Sequence, residues 1–541
     1  MTSFQNRTKS PNSFIFIGSV VVFAWMFLFN IRPIEDPDIW WHLASGRWMT
    51  THHLVPKVDV FSLTAQGTPW IDSYWLQEIG LYLLVHITGL SGLIVVKSLF
   101  VACFVFFAGG ICLDEKISWS IRGAGIVWIF LACQPRGFGW EEKASYVTLA
   151  FMALLFWRLR LKKGIFSGQF YRTWPILFLI WANMHRGFIL GLVFLGVHII
   201  EKWVRIEKDR YEATGWGILC AAVTLINPWG YRIYKMGWQD YHLSPALIAG
   251  WDQTPFFHLE MFWFTLVIFW MFVAWSFWTH RPLGIGFLVS SLILTRLSTR
   301  YASFYPYFVI WAVPWILSEG KNLLSRFGHT KIVLAILGVV VLSSFSLKPA
   351  FGINARAFPL DAVEFLQDHH FRFPFFHDYE WGGFYLWELE GSPPDLIDGR
   401  YPAVQGYQRL YPRIQEAMHG TPENFHLFLE NLHIHCALVK FPKATMSPSP
   451  LAPYFPRKDW ALIYWDDVAL FFVERKPEFQ TFIKTYEFQR IEPYTDPSYW
   501  LQSRNATPLE KDMLLQEAVR NVKEHPTCQR AQNWIAVLHH P

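Results

Sequence analysis

Long apolar segments recur along the first two thirds of the chain, and they constrain its fold more than any other feature. Each approaches the roughly 20 residues that an α-helix needs to cross a bilayer. Of the 541 residues, 52% are hydrophobic and 18% are aromatic, which is unusual for a soluble protein. The sequence therefore predicts an α-helical polytopic membrane protein with about 11 transmembrane helices. They are expected at 14–31, 91–113, 120–134, 144–158, 173–184, 187–203, 214–226, 260–278, 283–295, 304–318 and 331–347.

The distribution of basic residues predicts the side of the membrane on which each connection lies. Lysine and arginine collect on the cytoplasmic side, and the most basic short connection is RLRLKKG at 158–164. This connection is cytoplasmic only if residues 75–90 do not cross the membrane. We therefore expect 75–90 to lie on the membrane surface as an amphipathic helix. Its lipid-facing side would consist of Leu76, Ile79, Leu83 and Ile87.

The first apolar segment follows Arg7 and Lys9, as the apolar part of a signal peptide would. It is long, however, and no small-residue cleavage site follows it. We interpret it as an uncleaved first span that starts inside the cell. The first loop and everything beyond about residue 350 are then expected outside.

The C-terminal third changes character, which predicts a division into domains. We expect a transmembrane domain at 1–350 with an external first loop at 33–90, an α/β domain at 351–476 and a helical segment at 477–541. Short apolar stretches in the α/β domain predict strands. These stretches are FPFFH, PDLIDG, HCALVK, WALIYW and VALFFVE.

Two motifs of this domain contain turn-forming residues. Gly382 and Gly383 in WGGFYLW predict a tight turn after a strand. Asp398 and Gly399 in IDGR predict a second turn, and Arg400 is expected to pair locally. A structural role is the stronger interpretation of both motifs, and contact with an acceptor is the alternative.

The segment EDPDIWWHLASGRW brings acidic groups next to the first apolar span. Asp36 can cap a helix that Pro37 begins and Gly46 ends. Asp38 and His42 would then lie one turn apart on the same face. Asp38 is a candidate general base, with His42 orienting it or a substrate phosphate. Asp36 and Asp38 can alternatively hold a divalent cation such as Mg²⁺ or Mn²⁺, or belong to a capped interfacial helix without catalytic role.

Further charged side chains stand at the predicted outer ends of the spans. Ionisable groups near a bilayer are costly and mark functional sites, and guanidinium groups bind phosphate bidentately. Snorkelling explains a single arginine more simply, but several on one face favour an anionic substrate. The candidate substrate-binding residues are Lys97, Arg136, Glu141, His185, Arg186, Arg296 and Arg300.

Six motifs are spread over residues 36–400: DPDIWWHLASGRWM, VPKVDVFSLTAQGTPWIDSYWLQE, WANMHRGFILG, INPWG, WGGFYLW and IDGR. Through them the chain resembles a bacterial family of membrane proteins that are similar to the GT-C superfamily of glycosyltransferases. In that superfamily the first external loop carries a catalytic aspartate near its start, and two helices lie on the membrane surface. EDPDIWWH and WLQEIGLYLLVHITGL match these features, and QPRGFGWEEK matches a second functional patch between spans 3 and 4.

The resemblance implies an inverting glycosyltransferase of the bacterial inner membrane, with its active face and C-terminal domain in the periplasm. The sugar would come from a polyprenyl-phosphate donor and pass to a glycan, lipid or protein acceptor. Asp38, or Asp36 in its place, would deprotonate the acceptor hydroxyl, and basic side chains would stabilise the lipid phosphate that leaves. Because phosphate is a good leaving group, a divalent metal is optional. The lipid bilayer is the other expected partner, and no nucleic acid is expected.

Two other functional classes fit the same residues. A transporter or flippase of a lipid-linked or anionic substrate also needs charged groups in the membrane. However, the polar residues collect on one predicted face, and no inverted repeat is apparent. A non-catalytic assembly protein of the cell envelope is the third hypothesis.

Overall fold

The chain folds into two compact units. One consists of Met1–Asp36 and Ser73–Gly352, and the other of Pro37–Asp72 and Ile353–Pro541. Residues 37–72 of the predicted external loop thus share a unit with the C-terminal part of the chain. A computed structural model describes residues 13–111, 117–133, 146–160, 172–235, 260–345, 348–401, 403–441 and 451–539.

The first unit is helical. All of the helices that end before residue 345 belong to it, except α2, which belongs to the second unit. In chain order the helices are α1 (Ser13–Phe29), α2 (Asp38–His52), α3 (Trp75–Ile111), α4 (Trp119–Cys133), α5 (Tyr146–Arg160), α6 (Trp174–Met184), α7 (Phe188–Val204), α8 (Arg210–Val223), α9 (Glu260–Trp278), α10 (Ile285–Arg300), α11 (Tyr305–Ser325) and α12 (His329–Ser344).

Two helices of the described residues are long and apolar enough to cross a membrane, Trp75–Ala108 and Glu260–Trp278. The number of spans predicted from the sequence stays a prediction, because the remaining apolar helices are shorter. These shorter helices are Phe16–Phe29, Trp119–Cys133, Val147–Arg158, Trp174–Met184 and His329–Ser344.

Helix α11 lies at the centre of the first unit. It packs against α4, α5, α9 and α10, and its residues Tyr305–Pro314 are all buried. Trp311 shows how: its indole N–H donates to Ser291 Oγ at 2.9 Å, and its ring centroid is 4.7 Å from that of Phe156. A satisfied indole within aromatic packing allows a large amphipathic side chain to occupy an apolar core.

Helix α3 breaks at Gly89, where φ is 68° and ψ is −178°. A residue with a Cβ rarely adopts such a backbone conformation, so glycine permits the break. The break separates 75–88 from 90–111, close to the boundary that the sequence predicted. Leu76, Leu83 and Ile87 of the predicted lipid-facing stripe are exposed, which leaves an apolar stripe on the first half of α3.

The second unit contains a four-stranded sheet with the order β1-β2-β4-β3. Strand β1 is parallel to β2, and β4 is antiparallel to both β2 and β3. Four of the five predicted strands therefore form. Their bounds are β1 (Phe376–His377), β2 (Cys436–Lys440), β3 (Trp460–Trp465) and β4 (Ala469–Glu474).

The predicted strand at PDLIDG is wrong. The Asp395 N–H donates to the Phe61 carbonyl at 3.1 Å, and the Asp395 carbonyl accepts the Leu63 N–H at 2.7 Å. This segment therefore pairs with the first loop through an isolated bridge instead of joining the sheet.

Helices surround this sheet and complete the second unit. The predicted amphipathic segment near the C-terminus forms a helix that starts with a capping box between Thr507 and Glu510. The helices are α13 (Leu360–Asp368), α14 (Gly382–Glu388), α15 (Tyr407–His419), α16 (Pro422–Asn431), α17 (Gln480–Tyr486), α18 (Pro497–Ser503), α19 (Pro508–Glu524) and α20 (Gln529–His539).

Helix α2 differs from the prediction at both ends. It begins at Asp38, one residue later than predicted, so Pro37 occupies the cap position and the predicted cap at Asp36 is wrong. It does not end at Gly46 but continues to His52, where His53 adopts a left-handed conformation. Gly46 is buried inside the helix, so tertiary packing outweighs the helix penalty of a glycine, which is about 1 kcal/mol.

Helix α14 is the main partner of α2 within the second unit. Trp40 of α2 is fully buried, with its ring centroid 5.1 Å from that of Phe384 and 5.5 Å from that of Phe358. Arg47 of α2 donates to the carbonyls of Leu386 and Trp387 at 3.1 and 2.9 Å. These carbonyls belong to the last turn of α14, so a cation stabilises a helix C-terminus there.

Candidate active site

Asp38 is the first residue of α2 and is half-buried. Its Oδ1 accepts a hydrogen bond of 2.9 Å from the indole N–H of Trp41. The two side chains can meet because residues three apart in a helix share a face. The indole thereby restricts the orientation of a carboxylate that stands at a helix start.

The turn of the IDGR motif lies directly against this carboxylate. A Cβ added to Gly399 would overlap Oδ1 of Asp38 and would lie 2.6 Å from Nε1 of Trp41. A side chain at position 399 would therefore force the Asp38 carboxylate and the Trp41 indole to shift. The motifs DPDIWWH and IDGR, which the sequence analysis treated separately, meet at this point.

The motif WGGFYLW approaches the same segment. A Cβ at Gly383 would lie 3.0 Å from the backbone nitrogen of Trp41 and 3.2 Å from the carbonyl oxygen of Pro37. A Cβ at Gly382 would overlap the carbonyl oxygen of Ile397. The tight turn predicted at these glycines is wrong, because they begin helix α14. They are needed for close approach of α14 to α2 and to the chain before Asp398.

A fully buried ion cluster holds the IDGR turn. Arg400 donates to both carboxylate oxygens of Asp398, with Nε at 2.9 Å and Nη2 at 2.6 Å. Its Nη1 donates to Asp59 of the first loop. The guanidinium also lies between two rings, with Cζ 4.8 Å from the centroid of Phe61 and 5.0 Å from that of Trp70. Arg400 thus pairs locally with Asp398, as predicted, and also pairs with the distant Asp59.

Tyr407 and Ser62 complete the hydrogen bonds around Arg400. The Tyr407 hydroxyl is 2.6 Å from the Ser62 hydroxyl and 3.1 Å from Arg400 Nη2, which donates to it. Burial raises the pKa of Asp398 to about 7, and the charge of Asp395 adds to this rise while Arg400 opposes it. Burial of such a cluster is tolerated because each charge has a partner and further hydrogen bonds.

His377 extends the cluster to the edge of the sheet. Its Nδ1 is 3.0 Å from the Asp378 carbonyl and its Nε2 is 2.8 Å from Asp395 Oδ1. The Leu396 N–H also approaches Nε2, at 3.2 Å. Burial alone disfavours a charged ring, but the Asp395 carboxylate outweighs it and raises the pKa of His377. In turn, His377 outweighs the effect of burial on Asp395 and lowers the pKa of that carboxyl.

His42, the second candidate site residue predicted on α2, is fully buried. Its ring centroid is 3.5 Å from that of Trp41. It therefore supports the indole that donates to Asp38. Direct contact of His42 with a substrate phosphate would require the surrounding side chains to move.

Asp36 and Lys97 belong to the first unit. Asp36 is buried, and it exerts the strongest attraction on the half-buried ammonium group of Lys97. Glu35 adds to this attraction and Arg32 opposes it. Asp36 thus differs from Asp38, which lies against an indole and a glycine.

His185 is held by a chain of hydrogen bonds in the first unit. Its Nδ1 accepts the Gly187 N–H at 2.9 Å and lies 2.7 Å from the Thr148 hydroxyl. The Trp181 indole donates to that hydroxyl at 3.0 Å, so the hydroxyl hydrogen points to His185. Because Nδ1 is an acceptor here, the neutral ring carries its proton on Nε2. The ring centroid is 5.1 Å from that of Tyr74.

Arg186 follows His185, and its Cζ is 5.6 Å from the ring centroid of Tyr74. Asn183 connects three of the motifs, because it accepts from the Trp75 indole at 3.1 Å and donates to the Ile226 carbonyl at 2.9 Å. WLQE, WANMHRG and INPWG therefore share hydrogen bonds in the first unit. A histidine and an arginine are held beside this junction.

Two of the remaining predicted cations lie on helix α10. Arg296 and Arg300 lie in the last turns of α10, one exposed and the other half-buried. Being four residues apart, they lie on one helix face. Arg136 and Glu141 lie outside the described residues. Their predicted substrate contacts therefore stay predictions.

Among the side chains that the structure describes, no group of three or more His, Cys, Asp or Glu could hold a metal ion. Divalent Mg²⁺ and Mn²⁺ favour several oxygen ligands, and the Oδ1 of Asp38 already accepts the Trp41 N–H. The possible divalent cation at Asp36 and Asp38 thus stays a prediction. No reaction step is therefore assigned to a metal.

Sequence reasoning missed the role of Gly399 and Gly383 and the pair of Arg400 with Asp59. The glycines were visible as members of motifs, but a glycine that permits a turn looks the same in sequence as one that permits close packing.

Comparison with known proteins finds similarity only at the level of structure: no family model matches the chain, and no curated protein matches it in sequence. Archaeal oligosaccharyltransferase AglB from Archaeoglobus fulgidus, solved with an inhibitory peptide and a dolichol-phosphate, has a TM-score of 0.55 at 11% identity. This match covers 96% of this chain and 83% of that one.

Two further solved structures are similar. The Archaeoglobus fulgidus oligosaccharyltransferase in complex with Zn and sulfate has a TM-score of 0.53 at 10% identity, over 97% of this chain and 85% of the other. ArnT from Cupriavidus metallidurans, bound to undecaprenyl phosphate, is more distant, with a TM-score of 0.40 at 11% identity. This match covers 86% of this chain and 98% of that one. The chain therefore has a fold similar to that of the Archaeoglobus fulgidus oligosaccharyltransferase.

Proposed function

We propose that this protein is an inverting glycosyltransferase. It moves a sugar from a polyprenyl-phosphate carrier to an envelope acceptor (a glycan, a lipid or a protein) on the outer face of the bacterial inner membrane. The observation that carries the proposal is the setting of Asp38 in a GT-C fold. A half-buried carboxylate stands at a helix start, accepts the Trp41 N–H and lies against Gly399.

Asp38 is the general base of the proposed reaction. It accepts the proton of the acceptor hydroxyl while the hydroxyl oxygen attacks the anomeric carbon. The bond between that carbon and the phosphate oxygen breaks, and the electron pair leaves with the lipid phosphate. One displacement of this kind inverts the anomeric configuration. The hydrogen bond from Trp41 to Oδ1 supports this role, because a base must be held in a defined orientation.

Asp36 has a different role in the proposal. It is buried, and its charge attracts the ammonium group of Lys97. Asp38, by contrast, is half-buried and accepts the Trp41 N–H, so its carboxylate is both more accessible than that of Asp36 and held in a defined orientation. We therefore assign the base to Asp38 and the partner of Lys97 to Asp36.

The donor phosphate is assigned to basic groups of the first unit. Arginine binds phosphate through paired donors, and His185 presents a donor at Nε2 because its Nδ1 accepts. These donors would stabilise the negative charge that develops on the leaving phosphate. The assigned residues are Lys97, His185, Arg186, Arg296 and Arg300, with Arg136 and Glu141 retained from the sequence.

The experiment that tests the function uses the full-length protein in lipid nanodiscs. It is incubated with labelled sugars on polyprenyl phosphate and with envelope lipids, glycans or peptides as acceptors, and the anomeric configuration of each product is determined. Transfer with inversion supports the proposal, and transfer with retention contradicts the single displacement. Movement of the labelled donor across proteoliposomes without any transfer would identify a flippase. Envelope-protein binding with neither activity would identify an assembly protein.

A further inference from the structure

The turn at 398–400 is built more rigidly than a connecting turn requires. The Arg400 N–H donates to Asp398 Oδ1 at 2.8 Å, which closes the turn from within. The Arg400 side chain then holds the same carboxylate with two further donors. The turn contains only one residue between these two partners, and that residue is Gly399.

The cluster is also tied to the loop that follows α2. Asp59 accepts from Arg400 through Oδ1 and from the Ser62 N–H through Oδ2 at 3.0 Å. Backbone hydrogen bonds run beside it, from the Leu63 N–H to the Asp395 carbonyl at 2.7 Å and from the Gln405 N–H to the Pro69 carbonyl at 3.1 Å. The turn is therefore held on its own segment and on the first loop.

The turn contacts Asp38 through Gly399. Its backbone lies so close that a Cβ would overlap Asp38 Oδ1 and come within 2.9 Å of Cδ1 of Trp41. Displacement of the turn in one direction would press on the carboxylate, and displacement in the other would open space beside it. Arg400 itself is fully buried, and it donates hydrogen bonds to Asp398, Asp59 and Tyr407.

We infer that Arg400 and Asp59 are positioning residues that act through Gly399 to fix the carboxylate of Asp38. The inference deepens the proposed function and rests on it for the meaning of Asp38 as a base. Arg400 does not touch the reacting atoms. It holds the turn, the turn places Gly399, and Gly399 together with the Trp41 N–H limits the orientations of the carboxylate. Small displacements of a catalytic group are costly in rate.

The first test is Gly399→Ala, with the wild type and Gly80→Ala as comparisons. Gly80 is an exposed helical glycine with no atom within 4 Å of an added Cβ, so its replacement is expected to leave transfer unchanged. The new methyl group at 399 displaces the Asp38 carboxylate. We expect kcat to fall about 10-fold or more while the KM for the donor stays within about 2-fold, since this contact is not assigned to the donor. An unchanged kcat would overturn the inference.

The second test compares Arg400→Lys and Asp59→Asn, with transfer rates normalised to the folded fraction. Lysine keeps the charge but cannot bind Asp398 with two parallel donors, and asparagine keeps the shape of Asp59. A residue that only stabilises the fold would change the folded fraction and leave normalised kcat intact. We expect normalised kcat to fall in both variants with little change in donor KM. Values within about 2-fold of the wild type would overturn the inference.

A third test does not depend on transfer activity, so failure of the proposed function and failure of this inference can be distinguished. The loss in unfolding temperature caused by Gly399→Ala is measured in the wild type and in the Asp38→Ala background. Shortening Asp38 removes the nearest overlapping atom while the two close Trp41 atoms remain, so we expect a smaller but still measurable loss in that background. Equal losses would show that Gly399 and Asp38 are not coupled and would overturn the inference, whatever the wild type transfers.

Discussion

Gly399 lies against Asp38 so closely that a Cβ on residue 399 would overlap the carboxylate oxygen Oδ1. Asp38 begins helix α2, and Gly399 stands in a turn of the distant IDGR motif between Asp398 and Arg400. Gly383 approaches the same helix from α14. Three motifs of the sequence thus meet at the first turn of α2.

Gly383→Ala should destabilise the protein. The added Cβ would lie 3.0 and 3.2 Å from backbone atoms of Trp41 and Pro37, which cannot move without shifting the start of α2. We expect a loss of about 1–3 kcal/mol, measured by denaturant unfolding of the full-length protein in detergent. Gly80→Ala is the matched control in open space and should be neutral or slightly stabilising. Equal effects of both variants would contradict close packing at Gly383.

Trp41→Phe should reduce transfer while keeping an aromatic ring in place. The replacement removes the N–H that donates to Asp38 Oδ1 at 2.9 Å. Hydrogen bonds to charged groups contribute about 1.5–3 kcal/mol, so kcat should fall about 10-fold or more. Trp48→Phe is the control on the same helix, since Trp48 stacks on His52 at 4.3 Å. The hydrogen bond has no kinetic importance if both variants show the same normalised kcat.

Replacing Arg400 alone should be much worse than replacing the whole ion cluster. Arg400→Met leaves the carboxylates of Asp59 and Asp398 buried without their cation, and such a change costs about 3–5 kcal/mol. The triple variant with Asp59→Asn and Asp398→Asn removes these charges, so we expect it to recover much of the loss. Unfolding temperature and yield of folded protein measure both. Failure of the triple variant to recover any stability would contradict a mainly electrostatic cost.

The stability of the second unit should fall as the pH rises above neutral. Since the pKa of His377 is raised in the folded state, its contribution is fully present below the unfolded value of about 6.5. It is lost as the pH rises through the higher folded value. The pKa of Asp398 is also raised, to about 7. Its contribution to stability is therefore lost as the pH rises from the unfolded carboxyl value of about 3.9 to the folded value. His377→Gln should flatten the wild-type slope above about pH 6.5, as measured by thermal unfolding across pH.

A steeper or unchanged slope in His377→Gln would contradict a charged His377 in the folded protein. The Asp395 carboxyl, whose pKa is lowered by His377, provides the complementary check. Its contribution is present above the unfolded carboxyl pKa and is lost as the pH falls through the folded value. The wild type should therefore also lose stability in strong acid, and His377→Gln should reduce that loss.

The topology can be tested by labelling single cysteines in a background without the six native ones. We expect Leu90→Cys and Trp140→Cys to react with an impermeant thiol reagent in intact cells. Lys162→Cys should react only after permeabilisation, because RLRLKKG is predicted inside. Labelling at 162 from outside would reverse the predicted arrangement and would show that residues 75–90 cross the membrane.

Local patterns predicted much of the fold. The change at Gly89 was visible because an amphipathic stretch, a glycine and a second apolar stretch follow each other. The strands at HCALVK, WALIYW and VALFFVE were visible as apolar runs of strand length. Gly46 was misleading, because the packing of α2 on α14 carries the helix past a residue that usually ends one.

The contacts of the candidate site were not predictable in the same way. Arg400 and Asp59 are 341 residues apart, and no local periodicity reports such a pairing. The segment PDLIDG has the composition of a strand, but its polar backbone groups are satisfied by the first loop. Asp38 was found because acids beside a membrane span are costly, whereas Gly399 could be placed only once the chain had folded.

The most direct test of the account is the rate of a single turnover by Asp38→Asn beside the wild type and Asp36→Asn, with donor affinity measured separately. Asparagine keeps the size of the side chain but cannot accept the acceptor's proton. We predict that Asp38→Asn transfers sugar at least about 100-fold more slowly than the wild type while binding the donor equally well. Asp36→Asn should weaken donor binding more than it slows transfer. Transfer by Asp38→Asn at the wild-type rate would contradict the assignment of Asp38 as the base.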